Sequence, residues 1–324
     1  MFMIILYHLF FFFEFDNKNY DTTFKPLWLP LHIGVLEFVL ISGYFRIKRS
    51  FYGLLKLIVP VFFYFVGIHV VVATISDDWS TVNFHALTSG PYWFILTYLY
   101  LYLLSPMINH YLECITLRSR IILLSSLFFI NYYVGNYCIA DNSLVDGKNI
   151  INFICLYVIG DTLHQYEHIE RRIKTLHIIL VYVILNVSMV ALYVRTCDSG
   201  IGTRIWQYGY NYNGMLLLFN SVLLFLIFSR MSFCSKFVNR IASSVFSMYI
   251  IHHQSYVLYG LIGKCVSFIE INVTNNWSLF FAFVILSIII MMICFLVDIL
   301  FSPLIRFLII KIVSIKQKLS VCGL

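Results

Sequence analysis

Charged residues are scarce in this 324-residue chain. Asp, Glu, Lys and Arg make up 11% of it, whereas soluble domains carry about a quarter. Apolar residues make up 61% and aromatic residues 18%. This composition excludes an ordinary soluble domain, and no charged or Pro/Gly-rich block divides the chain in two. The sequence therefore predicts one polytopic membrane domain.

Several familiar signatures are also missing. No GxSxG, P-loop, GxGxxG or HExxH motif occurs. The eight cysteines stand singly, without the CxxC spacing of a metal site, so we expect no metal and no tightly bound cofactor. The net charge is +7, but no basic cluster lies beside a nucleic-acid recognition motif. This absence argues against nucleic acid as a partner. We expect the basic excess to reflect membrane topology.

The chain has long apolar runs instead. A helix needs about 20 apolar residues to cross a hydrocarbon core of roughly 30 Å. Nine segments are candidates: 28–45, 51–75, 92–112, 121–140, 150–165, 175–195, 213–231, 241–263 and 278–300. Residues 1–13 are apolar but too short to span, and neither a basic n-region nor a cleavage site supports a signal peptide. We expect them to belong to a tenth, first span whose cytoplasmic end is missing from this chain.

The distribution of Lys and Arg predicts the orientation, because cytoplasmic loops hold the excess. With ten spans and a cytoplasmic N-terminus, sixteen of the 22 basic residues fall in inner segments. The tryptophans at 28, 79, 93, 206 and 277 then lie at outer helix ends or loops, as an interfacial belt would place them. Both termini are therefore predicted to be cytoplasmic. Residues 301–324 repeat apolar and basic positions at helical spacing, which predicts an amphipathic cytoplasmic tail after a membrane domain at 1–300.

Few ionisable groups lie inside the spans, where they are costly and usually functional. His8 is a candidate general base, because imidazole exchanges a proton near neutrality; a packed, hydrogen-bonded histidine is the alternative. His252 is a second, weaker candidate. Glu37 either orients an imidazole or is a protonated carboxyl bonded to Tyr or Ser. We expect Asp298 to pair with an inner cation such as Arg306.

A basic stretch follows the second predicted span and contains Arg46, Lys48, Arg49 and Lys56. Such a stretch is ordinarily a positive-inside loop. It could also neutralise the phosphates of a cytoplasmic donor, because Lys and Arg are the usual partners of phosphate. Periodicity does not decide between the two interpretations.

Four segments, taken in order, carry a resemblance to a known family. They are the histidine of the first span, Val35–Phe45, the Tyr-Trp-Phe at 92–94 followed by Tyr102–Pro106, and Ile241–His252. Each is weak alone, but their order and spacing over ten spans resemble the membrane acyltransferase type 3 family. The resemblance implies an integral-membrane O-acyltransferase of the bacterial inner membrane. It also implies that the enzyme moves an acyl group, commonly acetyl from acetyl-CoA, to a hydroxyl of a cell-surface or lipid-linked glycan.

The resemblance implies roles for individual residues. It assigns acyl transfer to His8 and places the family's Ser-Gly-Tyr turn at Ser42, Gly43 and Tyr44. Together with Arg49 of the basic stretch, the predicted donor- and substrate-binding residues are Ser42, Tyr44, Lys56, Trp93, Tyr98, Tyr249 and His252.

The chain departs from the family pattern at three positions. Lys56 stands before Pro60 where the family usually has arginine, and lysine keeps the charge but loses the planar fork. The arginine that many members carry eleven residues before the first-span histidine would lie upstream of Met1. Glu37 occupies a position that is usually apolar.

Two other functions stay open on the sequence alone. A transporter or glycan flippase would also have about ten spans and few polar groups within them, although no pair of broken helices supports one. A glycan polymerase or a non-catalytic membrane partner is the other alternative.

Overall fold

The structure is a computed structural model, and it describes residues 1–16, 29–79, 92–137, 146–196, 200–232, 234–254, 256–273 and 275–321. Within these ranges all regular structure is helical, which confirms the predicted all-α class for the described part of the chain. The main helices are α1 Phe2–Asp16, α2 Ile33–Tyr44, α3 Phe51–Ser76, α4 Trp93–Cys114, α5 Leu117–Phe128, α6 Ile150–Gln165, α7 Thr175–Thr196, α8 Ile201–Tyr210, α9 Met215–Ser229, α10 Lys236–His252, α11 Gly263–Asn272 and α12 Asn276–Val321. Two π-helical segments, Phe129–Val134 and Tyr256–Ile262, extend α5 and precede α11.

Three of the described helices are long and apolar enough to cross a membrane: Phe51–Ser76, Thr175–Thr196 and Asn276–Lys318. Phe2–Phe11, Pro30–Tyr44 and Met215–Ser229 are apolar but shorter. The full count of ten spans and the cytoplasmic termini stay predictions. Some predicted positions lie outside the described residues: 28, 138–140 and 255 of the spans and 322–324 of the tail.

Two elements differ from a simple reading of the sequence. Helix α8 occupies a segment that lies outside the ten predicted spans. Helix α12 runs through residue 300 and Pro303 to Val321, so the last predicted span and the tail form one continuous helix.

The chain divides into two compact units. The first unit comprises Met1–Ile5, Lys48–Trp93 and Cys234–Leu324, and the second comprises Leu6–Ile47 and Phe94–Phe233. In the first unit α3, α10 and α12 pack against one another around buried side chains such as Phe65, Met248 and Phe283.

In the second unit, glycines set the spacing between α2 and α6. A Cβ added to Gly43 would collide with the backbone of Tyr157, and one added to Gly160 would collide with the backbone of Leu40. Small residues let helix backbones approach closely, as at many membrane helix interfaces. The close contact brings the end of α2 beside the end of α6, where the candidate site is built.

Candidate active site

The loop after α2 is held in one conformation. Arg46 has a φ of 54°, in the left-handed region that costs a non-glycine residue about 1–2 kcal/mol. The next residue is bracketed on both sides: the Ile47 N–H donates to the Tyr157 hydroxyl over 2.9 Å, and its carbonyl accepts from Asn109 Nδ2 over 3.0 Å. Tyr157 in turn donates to Asn109 Oδ1 over 2.7 Å. The surrounding structure therefore offsets the strain, and such strain is typical of functional sites.

Two arginines converge on one buried carboxylate in the second unit. Arg46 Nε donates to Asp161 Oδ1 and Arg120 Nη1 donates to Asp161 Oδ2, each over 2.5 Å. Asp161 is 0% exposed and Arg120 is 1% exposed. Arg120 also donates to the Leu112 carbonyl over 2.9 Å. Both oxygens of the carboxylate are thus bound by guanidinium groups from separate parts of the chain.

Arg46 reaches outward from this pair to a second carboxylate. Its Nη1 donates to Glu113 Oε1 over 2.8 Å, and the Glu113 side chain is 59% exposed. The hydrogen bond to Asp161 raises the pKa of Arg46 above its ordinary value, so the guanidinium keeps its charge. We call Arg46, Glu113, Arg120 and Asp161 the charge network.

A cavity of about 450 Å³ opens beside the charge network. It is lined by Tyr44, Phe45, Arg46, Leu112, Glu113, His164 and Gln165. Tyr44 packs its ring edge-on against His164, with 4.7 Å between ring centroids. The cavity thus combines a fixed cation, an exposed carboxylate and an aromatic wall.

Ser42 and Tyr98 meet in the second unit although 56 residues separate them. Ser42 Oγ donates to the Phe38 carbonyl over 2.7 Å and lies 2.9 Å from the Tyr98 hydroxyl. Because the serine proton is already donated to Phe38, the tyrosine hydroxyl donates to Ser42. The structure therefore joins two of the predicted binding residues directly.

His8 lies on α1 and is half-buried. Its ring packs against Tyr7, with 5.3 Å between centroids, and Tyr7 packs against His32 at 4.2 Å. His32 in turn meets the edge of Tyr212 at 5.4 Å. Two imidazoles of the second unit thus lie against the same tyrosine ring.

The first unit holds another cluster of imidazoles and phenols. His252 is fully buried and its Nδ1 lies 2.8 Å from the Met248 carbonyl. Because a carbonyl can only accept, Nδ1 carries the proton, and Nε2 is then the basic nitrogen of the neutral ring. Tyr249 packs against both His252 and His253, at 5.8 and 5.2 Å between centroids. Tyr92 packs against His253 at 6.0 Å.

The remaining predicted residues also belong to the first unit. Arg49 and Lys56 are exposed, and the Lys56 ammonium lies 4.6 Å from the centre of the Tyr52 ring. Trp93 is half-buried at the start of α4. His8, Ser42, Tyr44 and Tyr98 are in the second unit, and the predicted roles of both sets stay predictions.

Asp298 does not have the partner that we had expected. It accepts a hydrogen bond from the buried Tyr64 hydroxyl over 2.8 Å instead of pairing with Arg306. The Tyr64 hydroxyl gives the buried Asp298 carboxyl a hydrogen-bond partner without burying a second charged group.

Sequence reasoning missed several residues of the site. Asp161 and Arg120 are 41 residues apart, and no motif links them to each other or to Arg46. Glu113 and His164 follow apolar runs and resemble ordinary helix-end residues. The available signal was that Asp161 follows Gly160 near the end of the predicted span 150–165, and this signal is weak.

The comparisons with known proteins identify the family. The model of the type 3 acyltransferase family, described as an acyltransferase domain, matches residues 1–296. No curated protein and no solved structure matches the chain significantly. Since the family match covers most of the sequence, the chain belongs to the membrane acyltransferase type 3 family.

Proposed function

We propose that this membrane acyltransferase is an O-acyltransferase that moves an acyl group, commonly acetyl, from acyl-CoA to a hydroxyl of a cell-surface or lipid-linked glycan. We further propose that it works in a bacterial inner membrane. The observation that carries the proposal is the family match over residues 1–296. The cavity beside Arg46 supports a place for an anionic donor.

In the proposed reaction, the His8 imidazole accepts the proton of the acceptor hydroxyl. The oxygen attacks the thioester carbonyl, an O–C bond forms, the C–S bond breaks, and the CoA thiolate leaves and takes up a proton. In the alternative order, His8 carries the acyl group transiently before the hydroxyl attacks. Both orders need an imidazole in a low-water setting, and the half-buried position of His8 among aromatic rings is consistent with that need.

We propose that the acyl-CoA donor binds in the cavity beside the charge network. The predicted topology puts the loop after α2 on the cytoplasmic side, where acyl-CoA is available. A phosphate of the donor would replace the exposed Glu113 as the partner of Arg46 Nη1, while buried Asp161 keeps Nε in place. Exchange at an exposed ion pair costs little, because such pairs contribute about 0–1 kcal/mol. Arg49 and Lys56 of the first unit stay proposed donor-binding residues, and Trp93, Tyr98, Tyr249 and His252 are proposed to contact the substrates.

The central test replaces the proposed base. A full-length protein carrying His8→Ala should lose glycan O-acetylation in cells while retaining its expression and membrane insertion. His177→Ala, at an exposed histidine of α7, is the matched control and should retain acetylation. Retained acetylation in His8→Ala would refute the assignment, and transport of the glycan without any O-acetyl transfer by the wild type would favour the transporter.

A second test addresses the donor cavity. Arg46→Lys keeps the positive charge but loses the planar guanidinium group. The KM for acyl-CoA should therefore rise about tenfold with a smaller change in kcat. Glu113→Gln removes the competing carboxylate and should lower that KM by up to about fivefold. Lys56→Ala should raise it if Lys56 also contacts phosphate. Unchanged KM values in all three variants would place the donor elsewhere.

A further inference from the structure

Helices α3 and α12 of the first unit bring their basic ends together. The Tyr64 hydroxyl of α3 donates to Asp298 of α12 over 2.8 Å. The Lys316 ammonium of α12 lies 3.9 Å from the centre of the Phe51 ring at the start of α3. The later residue of α12 thus meets the earlier residue of α3, so the two helices are antiparallel. The end of α12 therefore lies beside the start of α3.

We call this part of the first unit the basic end. It comprises residues 48–56 and 299–321, in which no Asp or Glu occurs. Its lysines and arginines are exposed side chains: Lys48, Arg49, Lys56, Arg306, Lys311, Lys316 and Lys318. Two helices thus concentrate positive charge at one end of the unit.

The acidic side chains of the first unit lie far from the basic end. At about 1.5 Å per residue, Asp298 is about 27 Å from Lys316 along α12, and Asp77 is about 31 Å from Lys56 along α3. Glu270 lies on α11, which precedes the start of α12. The Debye length is about 8 Å at physiological ionic strength, so these acids do not compensate the lysines of α12. A counter-charge for those lysines has to come from outside the described part of the first unit.

The last turns of α12 combine cations with apolar side chains on one exposed strip. The strip consists of Leu304, Phe307, Lys311, Ile315 and Lys318. The Lys311 ammonium lies 5.4 Å from the centre of the Phe307 ring, and that ring is 54% exposed. Ile305 and Ile309 lie on the opposite face of the helix and are buried. Helix α12 therefore packs through one face and presents an amphipathic strip on the other.

The length of α12 places this strip at the membrane surface. The helix has 46 residues and is about 69 Å long, whereas the hydrocarbon core is about 30 Å thick. The last turns therefore lie at the level of the lipid headgroups. There, apolar side chains such as Phe307 and Ile315 contact acyl chains, and lysines contact lipid phosphates. A water-soluble phosphate compound would neutralise the lysines and leave the apolar side chains in water, so a lipid fits the strip better.

We propose that the basic end binds anionic phospholipid headgroups through Lys311, Lys316 and Lys318. The negative lipid phosphates supply the counter-charge that the first unit lacks there. This binding requires no acyl transfer, so it stands or falls independently of the proposed function.

The test uses the full chain in nanodiscs of phosphatidylcholine that contain a small fraction of a photoreactive lipid. One probe is phosphatidylglycerol with a diazirine on its acyl chain, and the other is phosphatidylcholine with the same chain. The anionic probe should label peptides of residues 301–318 about tenfold more than the zwitterionic probe, because each lysine near an anionic lipid increases affinity about fivefold. High salt should reduce this preference. Equal labelling by the two probes would overturn the proposal.

Coenzyme A distinguishes a lipid from a soluble phosphate compound. Excess coenzyme A should leave labelling by the anionic probe unchanged. Its suppression of that labelling would assign these lysines to the acyl donor and would overturn the lipid proposal.

Variants test the lysines themselves. Lys311→Gln, Lys316→Gln and Lys318→Gln combined should reduce labelling by the anionic probe to the level of the zwitterionic one. Lys264→Gln is the matched control, because Lys264 is exposed on α11, which precedes the opposite end of α12. An unchanged preference in the folded triple variant would contradict the proposal. If the triple variant does not fold, the comparison of the two probes on the wild type decides.

Discussion

The two units hold their polar interiors in different ways. In the second unit, buried Asp161 is bound by Arg120 and Arg46, which lie 41 and 115 residues away. In the first unit, His69 and His252 donate to carbonyls four residues earlier on their own helices. Full charges held by distant partners depend on the whole tertiary structure, whereas locally bonded imidazoles are oriented by one helix alone. We therefore expect the charge network to determine folding more strongly than the histidines of the first unit do.

The largest effect should come from Asp161→Ala. Removing the carboxylate leaves the buried Arg120 without its counter-charge, so the free energy of unfolding should fall by about 3–5 kcal/mol. The loss of stability would be measured as the loss of the monodisperse chromatographic peak when the protein is heated in detergent.

Glu113→Ala is the control for this prediction. It breaks an exposed pair with the same Arg46 and should cost about 0–1 kcal/mol. Equal losses in the two variants would show that burial does not distinguish these ion pairs.

A smaller effect is expected from Gly43→Ala in the second unit. The added Cβ would meet the Tyr157 backbone, which cannot move aside easily, and overpacking costs about 1–3 kcal/mol. Gly67→Ala in α3 of the first unit meets no described atom within 4 Å and should stabilise the helix by about 0.5–1 kcal/mol. The same detergent unfolding assay checks both, and an unchanged or raised stability of Gly43→Ala would contradict the close packing of α2 on α6.

A further small loss is expected at the buried hydrogen bond between Tyr64 and Asp298 in the first unit. Tyr64→Phe removes the hydroxyl that donates to Asp298 and should cost about 0.6–1.7 kcal/mol, the range of hydrogen bonds between membrane helices. Tyr52→Phe, at an exposed ring, should leave stability unchanged. A loss as large as that of Asp161→Ala would mean that buried polar groups contribute equally to the stability of the two units.

Several helices could be predicted closely from their sequence. Predicted spans 51–75, 150–165 and 175–195 correspond to Phe51–Ser76, Ile150–Gln165 and Thr175–Thr196. Each is an apolar run bounded by polar residues, and such a run has few alternatives to a helix when water is excluded. Helix α8 was missed because its residues lie in a polar, apparently loop-like segment and find their apolar partners on α7 and α9.

The candidate site was predictable only in part. The resemblance placed a Ser-Gly-Tyr turn at residues 42–44, but in the structure these residues form the last turn of helix α2. The close approach of Gly43 to the Tyr157 backbone gives a reason for the glycine. Asp161 could not be linked to Arg46 in advance, because the pairing depends on which helix packs beside α2.

Composition and hydrophobic patterning were sufficient for the helical class and for several helix boundaries, because burying apolar surface in a bilayer constrains the backbone locally. The family was indicated by the resemblance of four segments, and the family match over residues 1–296 confirmed it. Tertiary packing decided which charges meet. Those pairings depend on distances between helices that no local pattern encodes. Gly43 and Gly160 allow the close α2–α6 contact, and Arg46 meets Asp161 beside it.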